Sequence, residues 1–217
     1  LPVVLRSFDD YKPALYTYLI IPFLPLFDLS VLSVRLPAVI FGTVSLATLF
    51  FLVRILFPKG IEFSRVAISR NALSLMSMFL LSIAPWHIQF SRIAFEAQIG
   101  LSFNLLCILF FLVGLKRPIV LIISAIFAAL SIYVYQSEKV YIPLLLLLLV
   151  GTQYKAFFKI SKKWLIAAFL TGLLVVLPML IYVVTNPNAL NRAKGVSVFS
   201  DTTRLLEANR IKIERNI

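Results

Sequence analysis

From Trp164 to Thr185 the chain carries no charged residue and almost no polar one. A helix needs ~20 mostly apolar residues to cross the hydrocarbon layer of a membrane. Five further stretches meet or approach that length: Leu36–Phe57, Ala72–Trp86, Gln98–Leu115, Ile119–Tyr135 and Val140–Tyr154. Lipid offers no partner to a bare backbone N–H or C=O, so such runs are read as helices. Ala72–Trp86 needs a few more residues at each end. Val140–Tyr154 is the shortest in its leucine core, and is expected to be shielded by neighbours or lengthened into 155–158. Pro178, inside the last run, is tolerable where adjacent helices re-satisfy the backbone. Pro13–Phe27 is apolar too, but Pro22 and Pro25 interrupt it, so a straight span is not expected there. An interfacial or re-entrant segment fits better, with Tyr16 and Tyr18 at headgroup level. The sequence therefore predicts an all-α polytopic membrane protein. It has about six spans (36–185), preceded by a loop and interfacial segment (1–35) and followed by a further loop or the start of another segment (186–217).

Composition supports this class and excludes others. Apolar types make up 61% of the chain and charged types 14%, against about 25% charged in soluble domains. The net charge of +12 would suggest nucleic acid in a soluble protein, but no basic stripe interleaves with a soluble fold, and no nucleic-acid partner is expected. The basic residues instead follow the loops. Arg54, Lys59, Arg65, Arg70, Lys116, Arg117, Lys155, Lys159, Lys162 and Lys163 all fall in or beside Pro58–Asn71, the Lys116-Arg117 turn and Lys155–Lys163. The alternate loops, His87–Ala97 and Gln136–Lys139, hold only Arg92 and Lys139. Short basic loops face the cytoplasm, so the second set is expected outside, in a plasma (inner) membrane. On that assignment Asp9, Asp10, Asp28, Glu96, Glu138, Asp201, Glu207 and Glu214 lie on the outer side and Glu62 alone on the inner. Cys107 is the only cysteine, so there is no disulfide framework or cysteine metal site. The chain opens without methionine and closes on a charged helical pattern, so it reads as part of a longer protein.

Three outer clusters hold the residues suited to chemistry. In Arg6–Tyr16, the adjacent carboxylates Asp9 and Asp10 stand with Lys12 before the interfacial segment. Such a group could bind a divalent ion, orient a sugar or hold a phosphate, and it reads equally as a helix start with an Asp N-cap. In Trp86–Ala97, Arg92 and Glu96 stand at i,i+4, where a simple helical ion pair worth ~0.2–0.5 kcal/mol would explain the spacing. His87 is alone, and a lone His does not make a zinc site. In Tyr133–Pro143, Glu138 and Lys139 occupy a tight turn flanked by tyrosines, among them Tyr135. Lys139 could meet a lipid phosphate there, or snorkel to the interface. No glycine-rich phosphate loop, Ser/His/Asp set or His/Cys metal pattern appears.

In this order the clusters resemble the protein O-mannosyltransferase-like branch of the GT-C glycosyltransferases, family 39, with its bacterial relatives that include the aminoarabinose transferase modifying lipid A. Asp10-Tyr11-Lys12-Pro13-Ala14-Leu15-Tyr16 is similar to the family's acidic residue near Lys-Pro-Pro-Leu-Tyr. Val34-Arg35-Leu36-Pro37-Ala38 is similar to its Val-Arg-Leu-Pro-Ser, and Ser91–Glu96 to its second outer loop, which ends in an acidic residue. The resemblance implies a GT-C-like helical bundle. It also implies transfer of a sugar from a polyprenyl-phosphate carrier to an acceptor protein, lipid or glycan outside the membrane. Asp10 and Glu96, with Asp9 beside them, take the catalytic places. Lys12, Arg92, Tyr135, Glu138 and Lys139 take substrate-binding ones, and Asp10 is the candidate ligand for a divalent metal. Ala14 departs from the usual second proline. The family's leading Asp-Glu pair would lie upstream of Leu1, which implies that this stretch alone is inactive. Two other classes compete: a transporter or flippase subunit, which would want ionisable groups near mid-membrane, and a non-catalytic membrane assembly protein.

Overall fold

The computed structural model describes residues 2–7, 10–63 and 66–186; of Arg6, Ser7, Asp10, Tyr11, Phe63 and Val66 it describes the backbone. The chain opens with an antiparallel pair, β1 (Val4–Ser7) and β2 (Asp10–Pro13), in which Leu5 faces Lys12 and Ser7 faces Asp10. Asp10 is thus a strand residue, and the helix-cap alternative is overturned. The next helix, α1 (Leu15–Ile20), starts from Ala14, which provides no side-chain cap. Pro22 and Pro25 then divide the expected interfacial segment into α1, a 3₁₀ turn over Ile21–Phe23 and the single turn α2 (Leu24–Phe27). Each proline sits at a helix start, where its missing N–H costs nothing.

The first long helix, α3 (Val31–Leu56), begins before the expected Leu36 because Ser30 and Ser33 form a capping box. The Ser33 hydroxyl accepts the Ser30 N–H at 3.0 Å, and the Ser30 hydroxyl accepts the Ser33 N–H at 3.3 Å. The 35/36 boundary therefore falls inside a helix. A second hairpin, β3 (Ile61–Phe63) and β4 (Val66–Ile68), links α3 to α4 (Arg70–Ser82). Gly60 turns the chain into it with φ +81, where a Cβ would run into the Ile68 carbonyl. Between α4 and α5 (Pro85–Arg92) the axis bends by 61°. Pro85 is the cause: the residue before a proline is pushed out of helical space, and Ala84 is extended at φ −65, ψ 123.

Next come α6 (Glu96–Gly114), a 3₁₀ turn at Pro118–Val120, α7 (Leu121–Ser131), α8 (Glu138–Thr152), α9 (Tyr154–Phe157) and α10 (Lys162–Thr185). The packing runs α4–α3–α6–α7–α10. Close approach uses small and hydroxylated residues, as it does where lipid removes the hydrophobic drive between helices. Ser45 and Ser102 hydroxyls meet at 2.7 Å between α3 and α6, and Ser124 donates to the Cys107 carbonyl at 2.8 Å between α6 and α7. The Tyr133 hydroxyl reaches α10 beside Pro178. It donates to the Val175 carbonyl at 2.5 Å and accepts the Met179 N–H at 3.2 Å. One apolar cluster (Cys107, Phe111, Leu121, Ala128, Ile142, Leu145) fills the α6–α7–α8 side. Another (Tyr16, Ala38, Ile99, Phe103, Val134) sits under the first loop. Outward, apolar side chains are bare: Leu174 is 72% exposed and Val184 85%.

Among the described residues, three helices (α3, α6 and α10) are long and apolar enough to cross a membrane, and the bent α4–α5 pair makes a fourth if it is one span. That is fewer than the six expected. The run Ile119–Tyr135 is shortened at both ends, by the Pro118 turn and by unwinding after Ser131. The leucine run stops at Thr152 before the separate turn α9. The tail beyond Asn186 lies outside the described residues.

Three loops at one end of the bundle

The Lys12–Tyr16, Phe95–Glu96 and Tyr133–Lys139 segments, far apart in sequence, meet at one end of the bundle. The Leu15 N–H donates to the Tyr133 carbonyl at 3.2 Å, joining the first segment to the third. The Phe95 and Tyr135 rings lie 6.0 Å apart, edge to face, joining the second to the third. Tyr16 anchors the first segment to α3, with Glu96 nearby. It is 6% exposed, its hydroxyl donates to the Val34 carbonyl at 2.9 Å, and its pKa is pushed up to about 12, first by burial and then by the nearby Glu96 charge. Tyr16 is therefore a protonated donor at any physiological pH. It pins the first loop to α3 where the Val34-Arg35-Leu36-Pro37 motif enters the bundle.

Asp9 lies outside the described residues, and Asp10 is described by its backbone alone, at the start of β2. Lys12 is exposed two residues further on. Arg92 is exposed at the end of α5, and Glu96 is half-buried at the start of α6. The two do not share a helix face, because Ile93 is extended (φ −100, ψ 155) and breaks the helix between them. Among the described residues no ion pair joins them, so the simple helical pair offered for their spacing is overturned. Glu96 instead sits in the first turn of α6, at the positive end of the helix dipole.

In the third loop Tyr135 is half-buried against Phe95, and Lys139 donates to the Gln136 side-chain carbonyl at 2.7 Å. Glu138 is 7% exposed and accepts from Asn104 Nδ2 at 3.0 Å, so its carboxylate faces into the bundle rather than the loop surface. Among the described residues, no three His, Cys, Asp or Glu side chains gather in a way that could hold a metal ion.

Four features are not evident from the loop sequences. Asn104 receives Glu138; a polar side chain inside an apolar helix was the available signal. Arg35, with Ile93 and Ala94, lines a groove of about 370 Å³ beside the second loop. Behind that loop, His87 and Gln98 are buried at 4% and 1% exposure, and His87 Nε2 and both Gln98 amide atoms lack a hydrogen-bond partner among the described residues. A larger cavity of about 480 Å³ lies between α7, α8 and α10, lined by Ala128, Ile132, Ile142, Leu146, Phe169 and Gly172. Ile132 and Ile142 place it directly under the Tyr133–Lys139 segment.

Comparison with characterised proteins and with solved structures gives no match. A family profile described as dolichyl-phosphate-mannose-protein mannosyltransferase matches residues 11–182, from the first loop through nearly the whole of α10. A helical membrane bundle in which three loop segments meet, matched over most of its length by that profile, belongs to the dolichyl-phosphate-mannose-protein mannosyltransferase family of membrane glycosyltransferases.

Proposed function

We propose that this chain is part of an integral-membrane enzyme that transfers a sugar from a polyprenyl-phosphate carrier to an acceptor protein, lipid or glycan at the extracytoplasmic face of the plasma membrane. The observation that carries the reading is the meeting of three loops above a cavity lined with apolar side chains. Sugar transfer from such a carrier needs a carboxylate for the acceptor, positive charge at the leaving phosphate and an apolar bed for the prenyl chain. Asp10 and Glu96, with Asp9 adjacent, are assigned the acceptor side, where a general base contributes ~10²–10⁴-fold. Lys139, Lys12 and Arg92 are assigned the phosphate, as preorganised positive charge. Tyr135 is assigned the sugar or headgroup. Glu138 stands behind Lys139. The cavity between α7, α8 and α10 receives the start of the chain, with α7 and α8 completing six membrane crossings. Asp10, whose side chain lies outside the described residues, stays the candidate ligand for a divalent ion, and no step is routed through that ion.

A transporter is the second reading. Glu138, a buried carboxylate hydrogen-bonded by Asn104 from the middle of α6, is the ionisable group that favours it. Membranes containing the protein, given dolichyl-phosphate carrying radiolabelled mannose, are expected to lose donor and gain label in a protein, lipid or glycan fraction. Label that crosses the bilayer while the donor stays intact would support transport and contradict transfer.

A further inference from the structure

Asn104 points from the middle of α6 at the two helix ends that bound the third loop. Its Nδ2 donates to Glu138 Oε2 at 3.0 Å, and its Oδ1 accepts from the Ser131 hydroxyl at 3.0 Å. Ser131 closes α7 and Glu138 opens α8, so one amide ties together both ends of the Tyr133–Lys139 segment. All three side chains are buried, at 7%, 7% and 0% exposure for Asn104, Glu138 and Ser131. Gly100, one turn before Asn104 on α6, makes room for the carboxylate: a Cβ there would stand 2.9 Å from Glu138 Oε1. A buried carboxylate in apolar surroundings is costly unless it is hydrogen-bonded, and here it has a shaped seat and a donor.

We propose that the Asn104–Glu138–Ser131 network is a positioning device that holds Lys139 at the carrier phosphate, with Glu138 acting through Lys139 and not touching substrate. This rests on the phosphate role assigned to Lys139 above. Lys139 follows Glu138 in the first turn of α8, so seating the carboxylate fixes where the lysine backbone stands. Gln136 then steers the ammonium group through its 2.7 Å bond. The amide at 104 is needed at both ends. Leucine removes both bonds, whereas glutamine at 138 keeps an acceptor oxygen for Asn104 and removes the charge.

The test is binding of dolichyl-phosphate-mannose to the protein in lipid nanodiscs, for wild type, Lys139→Met, Asn104→Leu and the double variant. Each single change is expected to weaken binding roughly tenfold, and the double no further, because both remove the same contact. Glu138→Leu is expected to lose as much binding as Asn104→Leu, and Glu138→Gln, which keeps the acceptor oxygen, to recover most of that loss. If Asn104→Leu does not fold, Gly100→Ala takes its place in the cycle, since its Cβ displaces the carboxylate. Losses that add in the double variant overturn the positioning role while leaving the phosphate role of Lys139 intact. Glu138→Gln binding as poorly as Asn104→Leu overturns it as well, by showing that the charge itself is required. A Lys139→Met variant that binds like wild type removes the phosphate contact, and the proposal with it.

Discussion

Glu96→Gln is expected to lower sugar transfer ~10²–10⁴-fold, the usual contribution of a positioned general base, and Asp10→Asn to do the same. Neither change should alter membrane insertion. Gln has nearly the volume of Glu and can still occupy the start of α6; what it loses is the charge and the ability to take a proton. A group that acts only as the acceptor is deprotonated lowers kcat and kcat/KM together and leaves donor KM near its original value. Steady-state transfer from dolichyl-phosphate-mannose, with both substrates varied, separates this from a binding defect. Glu96 is the more informative of the two. Its neighbours Phe95, Gln98 and Ile99 are fixed by packing, and Tyr16 senses its charge. Full turnover in both variants would remove the assigned roles.

Gly42→Val is expected to destabilise the protein by ~1–3 kcal/mol, the range for overpacking a close contact, and to reduce transfer in whatever fraction folds. Gly42 is buried where α3 crosses α5 and α6. A Cβ at that position would collide with the Ser91 hydroxyl and lie 3.0 Å from Ser91 Cβ and 3.6 Å from Gln98 Nε2. Valine adds two methyl groups beyond that. Ser91 cannot swing away without breaking its 2.7 Å bond to the His87 carbonyl. The displacement therefore passes along α5 to Arg92 and along α6 to Glu96, the two ends of the second loop. A fall in the thermal midpoint in detergent, accompanied by reduced transfer, is the expected pair of results. Unchanged stability would mean that α3 and α5 separate more easily than this packing implies.

The helical membrane character was legible in the sequence because uncharged apolar runs have few other fates, and α3, α6 and α10 fall where those runs lie. The loops were legible as well, since charged and aromatic residues cluster at their edges. The break at Ala84–Pro85 was written in a dipeptide but hidden in an apolar run that read as one span. The shortening of α7 was less accessible. It depends on the backbone of Tyr133 pairing with Leu15, a contact more than a hundred residues away in sequence. The orientation of Glu138 shows the same limit. Next to Lys139 it read as half of an exposed charged turn, but the seat at Gly100 and the donor at Asn104 lie on another helix, and local spacing carries no record of them. The i,i+4 spacing of Arg92 and Glu96 misled for the opposite reason: the pattern was local, and an extended Ile93 broke it.

A shared site requires one membrane face to present all three loops. Single cysteines placed at Lys12, Arg92 and Ser137, after Cys107→Ser, can be labelled in intact cells or sealed vesicles with a membrane-impermeant maleimide. All three positions are exposed. Labelling of all three from the extracytoplasmic side, with cysteines at Lys59 and Lys116 labelled only from the cytoplasmic side, is the expected result. Labelling at Arg92 from the cytoplasm while Lys12 reacts from outside would place the carboxylates on opposite faces and contradict the shared site.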